Sequence, residues 1–309
     1  MNDARLYRFD ELSLPQRQAL HAFIAGFGNP TAPSSPDDLC RTYGGAPFTQ
    51  GSTHWSLWVE GMPVAALGAV TEVRAAKGEV YLTHIYAGSG HFHRLDTLLQ
   101  TALGALGPWL PCRVKLGAHA FVPGLPAWAE ARGFQPEYRL VEMVRREAFP
   151  PPPPSITWRC VTEREAEAFR QVSNAAFLPS PNGRVMDVAG MRETLEEYAA
   201  HPHRLQLGEV EERPAVALSL DLKPGPEGLD GIIDGLGVHP AFQGRGLGRE
   251  GLHRGIHLLG QEGAARITLT VIDSNGPAVA LYRSEGFEVS RELSTSCFRD
   301  LKEGDSDGC

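Results

Sequence analysis

The sequence has no dense block of positive charge. Its 29 Lys and Arg stand against 37 Asp and Glu, a formal net charge of −8 at neutral pH. Electrostatic docking on nucleic acid or on an anionic membrane is therefore not the expected role. Long apolar runs are missing too: the longest, near residues 64–70, falls far short of the roughly 20 residues that span a bilayer. The five cysteines (Cys40, Cys112, Cys160, Cys297 and Cys309) form an odd set with no CxxC pair. That argues against a disulfide framework or a cysteine-rich zinc site, and for a reducing compartment. Residues 1–11 hold no apolar core of a signal peptide before Asp10 and Glu11, so a cytoplasmic protein is expected.

What the sequence does have is length, glycine and proline. At about 150 residues per domain, 309 residues suggest two domains, and 34 Gly with 24 Pro exceed ordinary usage. Five consecutive prolines, 150–154, sit near the midpoint; such a run continues neither a helix nor a sheet and suits an interdomain spacer. The two halves on either side resemble each other. Residues 113–134 and 266–287 align at a shift of 153, with Arg113/Arg266, Leu116/Leu269, Ala127/Ala280, Gly133/Gly286 and Phe134/Phe287 identical. Upstream, Tyr7-Arg8 matches Trp158-Arg159, and Pro63 and Leu67 match Pro214 and Leu218, at a shift of 151. The reading is two copies of one domain, 1–149 and 155–301, joined by the linker and followed by a polar tail, 302–309.

In the second copy, strands are expected at 157–161, 205–210, 215–222, 231–238 and 266–272. Helices are expected at 163–176, 186–200, 247–261 and 277–284, and a terminal strand pair at 287–289 and 293–298. Leu252, Ile256 and Leu259 repeat at helical spacing and mark a buried stripe.

Chemistry concentrates where the strand ending at Val238 meets the helix starting at Leu247. Successive backbone amides at a glycine-rich turn opening a helix have no internal acceptor, and the helix dipole adds positive charge; this is a cradle for a pyrophosphate. Gly246-x-Gly248-x-x-Gly251, with Asp273 following, mimics a dinucleotide fingerprint. Seven residues part Val238 from Gly246, however, and only 36 follow Asp273, which excludes a doubly wound dinucleotide fold.

Gln243-x-x-Gly246-x-Gly248 instead resembles the coenzyme A signature of the GNAT superfamily of N-acetyltransferases. Asn275-x-x-Ala278-x-x-Leu281-Tyr282-x-x-x-Gly286-Phe287 resembles its second motif, in order and at the usual distance. The resemblance implies an α+β (α/β) fold: two tandem GNAT-like domains, each a mixed, mostly antiparallel sheet flanked by helices. It implies acetyl-CoA as co-substrate and no metal. Leu236 and Val238 would pair with the pantetheine arm, and the turn of Gln243, Gly244, Arg245, Gly246, Leu247 and Gly248 would hold the pyrophosphate. Asn275 would contact the cofactor, or simply cap a helix. Tyr282 matches the general acid that protonates the departing thiolate, with packing as the bland alternative.

Counting back from Val238 in steps of two places Leu236, Asp234, Ile232 and Asp230 on one strand face. Asp234 is the best-placed base for the amine, through a relayed water, or else a solvent-facing group. The position where the family most often has Glu falls near Ile232, a departure. Phe177 and Arg184 are candidates for acceptor contacts. In the first copy, Arg94 and Asp96 fall where Gly246 and Gly248 stand, and Val122 and Ala129 replace Asn275 and Tyr282. One working site is therefore expected, in the second copy, as in tandem members of the mycothiol synthase type. His253 and His257, four apart on a helix, read as solvent-exposed rather than as a metal pair, and Cys297 as packing. The expected function is acetyl transfer to the primary amine of a small molecule by a monomer or homodimer. A protein or peptide acceptor, or a non-catalytic CoA-binding regulator, is the alternative.

Overall fold

The computed structural model describes residues 4–29, 32–71, 78–107, 110–146, 156–181, 183 and 185–302. The polyproline run 150–154, and the expected tail beyond Lys302, lie outside these residues. The chain divides into two compact units: Met1–Leu140 with Glu292–Cys309, and Val141–Arg291. The expected cut at 150–154 does not coincide with this division. Each unit takes its closing strand from the other half of the sequence.

The first unit orders its strands β1-β2-β3-β4-β5-β12. These are β1 (Ala4–Arg8), β2 (His54–Val59), β3 (Met62–Val70), β4 (Glu79–Ala87), β5 (Cys112–His119) and the part of β12 (Glu288–Leu301) from Glu292 on. Only β4 and β5 pair in parallel among the registered neighbours; Ser294–Leu301 of β12 runs antiparallel to His119–Cys112. Helices α1 (Leu14–Ala25), α2 (Pro36–Tyr43), α3 (Leu95–Ala105) and α4 (Leu125–Glu130) accompany the sheet.

The second unit has the order β6-β11-β10-β9-β8-β7. Its strands are β7 (Thr157–Cys160), β8 (Leu205–Val210), β9 (Arg213–Gly225), β10 (Gly228–Val238) and β11 (Ala264–Ile272), with Val141–Arg145 of β6 (Gln135–Arg145). Again a single registered pair, β10 with β11, is parallel. Helices α5 (Ala166–Phe177), α6 (Val188–Tyr198), α7 (Leu247–Gln261) and α8 (Gly276–Ser284) follow. The expected pair 287–289 and 293–298 is instead one strand, β12. The intervening Ser290-Arg291-Glu292 carries no Gly, Pro or Asn to turn the chain.

Helix α7 shows how sequence becomes packing. Leu252 and Leu259 are fully buried and Ile256 nearly so, each contributing roughly 2 kcal/mol by burial. Gly251 and Gly255 lie on the same face. A Cβ at Gly251 would come within 2.6 Å of Leu236 Cδ1, and one at Gly255 within 3.1 Å of Leu220 Cδ2. The helix therefore lies close against β9 and β10, and its N-terminus is aimed by that contact. Opposite, α5 buries Phe169 and Val172, and Asp187 caps α6 by accepting from the Gly190 amide at 2.8 Å.

Candidate active site

The site begins with a break in the sheet. The parallel ladder of β10 and β11 ends at Ile233–Leu269, although the strands run on to Val238 and Ile272. Beyond that point, among the described residues, β10 pairs only with β9, on its other side, through Val238–Val216. The edge carrying Leu236 and Val238 is thus left for a ligand with amide groups of its own.

A bulge aids the parting. Ile233 pairs with Leu220 and Gly235 with Ser219, leaving Asp234 as the extra residue. The bulge also changes which side chains share a face. Ile233 packs beside Gly255 of α7, whereas Gly235 and Gly237 approach Phe177 of α5, and Leu236 returns to Gly251 of α7. The steps-of-two reading from Val238 to Asp230 fails here, because Asp234 faces the α5 side with Gly235. Asp230, in turn, is held by Arg266 at 2.6 and 2.7 Å.

After Val238 the chain makes a short turn and enters α7. Gln243 Nε2 donates to the Val238 carbonyl at 3.1 Å, tying turn to strand. Gly244 and Gly246 have φ of +77° and +80°, and a Cβ on either would meet none of the described residues within 4 Å. The conformation favours glycine, and the space beside it is open. Gly246 is the N-cap of α7 and supplies no side-chain cap, so the first amides of the helix, at Leu247 and Gly248, keep their donors for a ligand.

These groups line one cavity of about 490 Å³. Leu236, Val238, Gln243, Gly244, Gly246, Leu247, Gly248, Asn275, Tyr282 and Phe177 all border it, but Arg245 is not among the lining residues. Its guanidinium sits 5.4 Å from the centre of the Phe242 ring. Asn275 caps α8, accepting from the Ala278 amide at 3.3 Å, so it both starts the helix and borders the cavity. Tyr282 lies in the last turn of α8, half-buried, with its ring 6.0 Å from Phe287. Burial pushes its pKa up to about 12, which keeps the phenol protonated.

Asp234 borders a second cavity, of about 280 Å³, with Ser219, Tyr198 and Glu197. Phe177 is a wall of both cavities. Asp234 is an exposed residue at the cavity's rim, yet desolvation by the protein packed around its carboxyl first, and neighbouring Asp221 second, push that carboxyl up, with Lys223 and Ser219 opposing. Tyr198 is raised by burial and by Asp234; neither Tyr198 nor Ser219 carried a signal in the sequence. Arg184 lies outside the described residues. His253 is not the exposed residue expected from its spacing: its Nε2 lies 2.8 Å from Glu285.

The first unit keeps the parting and fills it. The β4–β5 ladder stops at Leu82–Leu116, while β4 continues to Ala87 and β5 to His119. Tyr86 stacks with Phe121, ring centres 6.1 Å apart, and packs against Phe27 at 5.2 Å. Val122 and Ala129 are completely buried. Asp96, in the first turn of α3, is bound by Arg132 and by Trp128 Nε1.

The model of the acetyltransferase (GNAT) family matches residues 171–287. A mycothiol acetyltransferase from Thermomonospora curvata is 30% identical over 231 residues, covering 72% of this chain and 74% of that protein. One from Frankia alni is 30% identical over 254 residues, covering 74% and 72%. Among solved structures, a GCN5-related N-acetyltransferase from Sphaerobacter thermophilus superposes with a TM-score of 0.71 at 17% identity, covering 97% of this chain and 96% of that one. A tandem GNAT protein from the clavulanic acid biosynthesis pathway gives 0.65 at 14% identity, covering 96% and 98%.

Proposed function

Because the chain belongs to the GNAT acetyltransferase family, we propose that its second unit takes acetyl-CoA and acetylates the primary amine of a small molecule by direct attack. The observation that carries this reading is the uncapped N-terminus of α7. Its free amides and two left-handed glycines open on the same cavity as Tyr282. Amides of the turn hold the pyrophosphate, and the unpaired edge at Leu236 and Val238 takes the pantetheine arm as a further strand.

The amine approaches from the neighbouring cavity. Two carboxylates, Glu197 and Asp234, stand among its described lining residues, which include no Lys or Arg; such a wall attracts a cationic amine. The nitrogen attacks the thioester carbonyl, forming the C–N bond, and the C–S bond breaks. The cationic amine gives one proton to Asp234, through a water, before it attacks and a second to solvent from the adduct, while Tyr282 gives its proton to the CoA sulfur and regains one from solvent. The raised pKa of Asp234 makes it a better base than an ordinary carboxylate, and that of Tyr282 keeps a proton to give. Asp234 and Tyr282 serve the same centre from two cavities divided by Phe177. The first unit is scaffold, since Asp96 and its aromatic filling occupy the corresponding ground.

Calorimetry with acetyl-CoA, then thiol release over a panel of amines, tests the reading. Tyramine, glucosamine, cysteine methyl ester and lysine form the core of the panel, and the relatives' name adds a mycothiol-type amine. Binding with turnover of at least one member is expected. Tight binding with no turnover of any amine, or of a peptide control, would favour a CoA-binding regulator instead.

A further inference from the structure

Glu285 is in an unfavourable place for a carboxylate unless it has a task. It is the C-terminal cap of α8, where the helix dipole presents negative charge, and its side chain is only 10% exposed. Two side chains on α7, the Arg249 cation and the His253 imidazole, compensate. Arg249 Nε lies 2.6 Å from one oxygen and His253 Nε2 lies 2.8 Å from the other. Spaced four apart, they share a face of α7 and grip both oxygens. Burial alone would raise the carboxyl, but His253 and Arg249 outweigh it and hold the group below its ordinary range. Arg249 also reaches Ser284 Oγ at 3.3 Å, and the buried Arg145 donates to the Glu285 carbonyl.

The place of this clamp in the chain gives it a consequence. Arg249 is three residues beyond Gly246, the cap of the turn, and Glu285 is three residues beyond Tyr282. The clamp therefore joins the helix that presents the cradle to the helix that presents the phenol, within one turn of each. We infer that Glu285 is a positioning residue, fixing the Tyr282 hydroxyl relative to the thioester held at the α7 turn. The inference rests on the acetyl-transfer reading above and adds a residue that neither motif contains. Without the clamp, α8 would lose its paired carboxylate and keep only its apolar contacts, the Arg145 bond to the residue-285 carbonyl and the reach of Arg249 to Ser284, and small displacements of a proton donor are costly to the reaction it serves.

The test uses the full chain with tyrosine-selective ring labelling, Tyr282 being assigned through Tyr282→Phe. Acetyl-CoA should shift the Tyr282 ring signal in the wild type. In Glu285→Ala that shift should fall by at least half, with acetyl-CoA affinity changed less than threefold, and Glu285→Gln should restore most of it. In thiol release with the best amine of the panel, Glu285→Ala should lower kcat at least tenfold with KM for acetyl-CoA within threefold. Glu285→Ala with Tyr282→Phe should be no worse than Tyr282→Phe alone, since the first acts through the second. A full ring response in folded Glu285→Ala, or losses that multiply in the double variant, would overturn the inference. Should Glu285→Ala not fold, Arg249→Ala carries the same readouts. A wild-type Tyr282 indifferent to acetyl-CoA would instead remove the reading on which the inference stands.

Discussion

His84 makes the first unit sensitive to acid. It occupies the irregular part of β4, with φ of +51°, and its Nδ1 lies 3.0 Å from the Tyr43 hydroxyl. Beside it, His54 is buried and stacked on Tyr43 at 4.0 Å, with the edges of Phe9 and Phe48 closing the cluster. Burial first, and His119 second, bring the pKa of His84 down to about 4; burial and His84 lower that of His54 well below its ordinary value. In the unfolded chain a histidine titrates near ~6.5. Between these values the unfolded state binds more protons, so stability is full above about pH 6.5, falls as pH drops, and levels off near pH 4. At about 1.4 kcal/mol per pKa unit, His84 alone accounts for about 2 kcal/mol lost between pH 7.5 and 5, and His54 acts with the same sign. Urea unfolding at the two pH values, followed by fluorescence of the buried Trp55 and Trp58, measures the loss. His84→Asn keeps a polar side chain that tolerates positive φ and should recover about 2 kcal/mol of the pH-dependent part. An equal pH dependence in both proteins, or a His84 ring signal titrating near 6.5, would refute the reasoning.

Three further outcomes follow from the same geometry. Gly246→Val puts a branched side chain at φ +80° and into the open space of the cradle; acetyl-CoA affinity by calorimetry should fall at least a hundredfold, whereas Arg94→Ala in the first unit should change it less than twofold. Gly251→Val would drive methyls into Leu236, whose Cδ1 already lies 2.6 Å from the added Cβ position, and should cost about 1–3 kcal/mol in thermal unfolding. Asp230→Ala leaves the largely buried Arg266 guanidinium without the carboxylate that it grips, with an expected loss of about 2 kcal/mol by urea titration.

Much of the candidate site was legible because its requirements are local. An anion cradle needs glycines at fixed offsets before a helix, so Gly246 and Gly248 name it from spacing. Helix 247–261 was readable to its ends because its apolar stripe and its turn agree. What escaped depends on pairing between distant segments. The bulge that turns Asp234 toward α5 is set by β9, and no period within β10 announces it. The clamp of Glu285 joins residues 32 and 36 positions apart, and Tyr198 meets Asp234 only through the packing of α6 over the sheet. The exchange of closing strands was hidden for a related reason. In two copies of one domain, either copy's last strand carries a pattern that fits either sheet.

Tyr282→Phe, compared with the wild type in acetyl-CoA calorimetry and in amine-dependent thiol release, tests the central claim most directly. On the proposed reading the phenol only donates a proton, so kcat should fall by about 10²–10⁴ while acetyl-CoA affinity stays within threefold. An unchanged kcat with the cradle intact would contradict the assignment of Tyr282 as the acid.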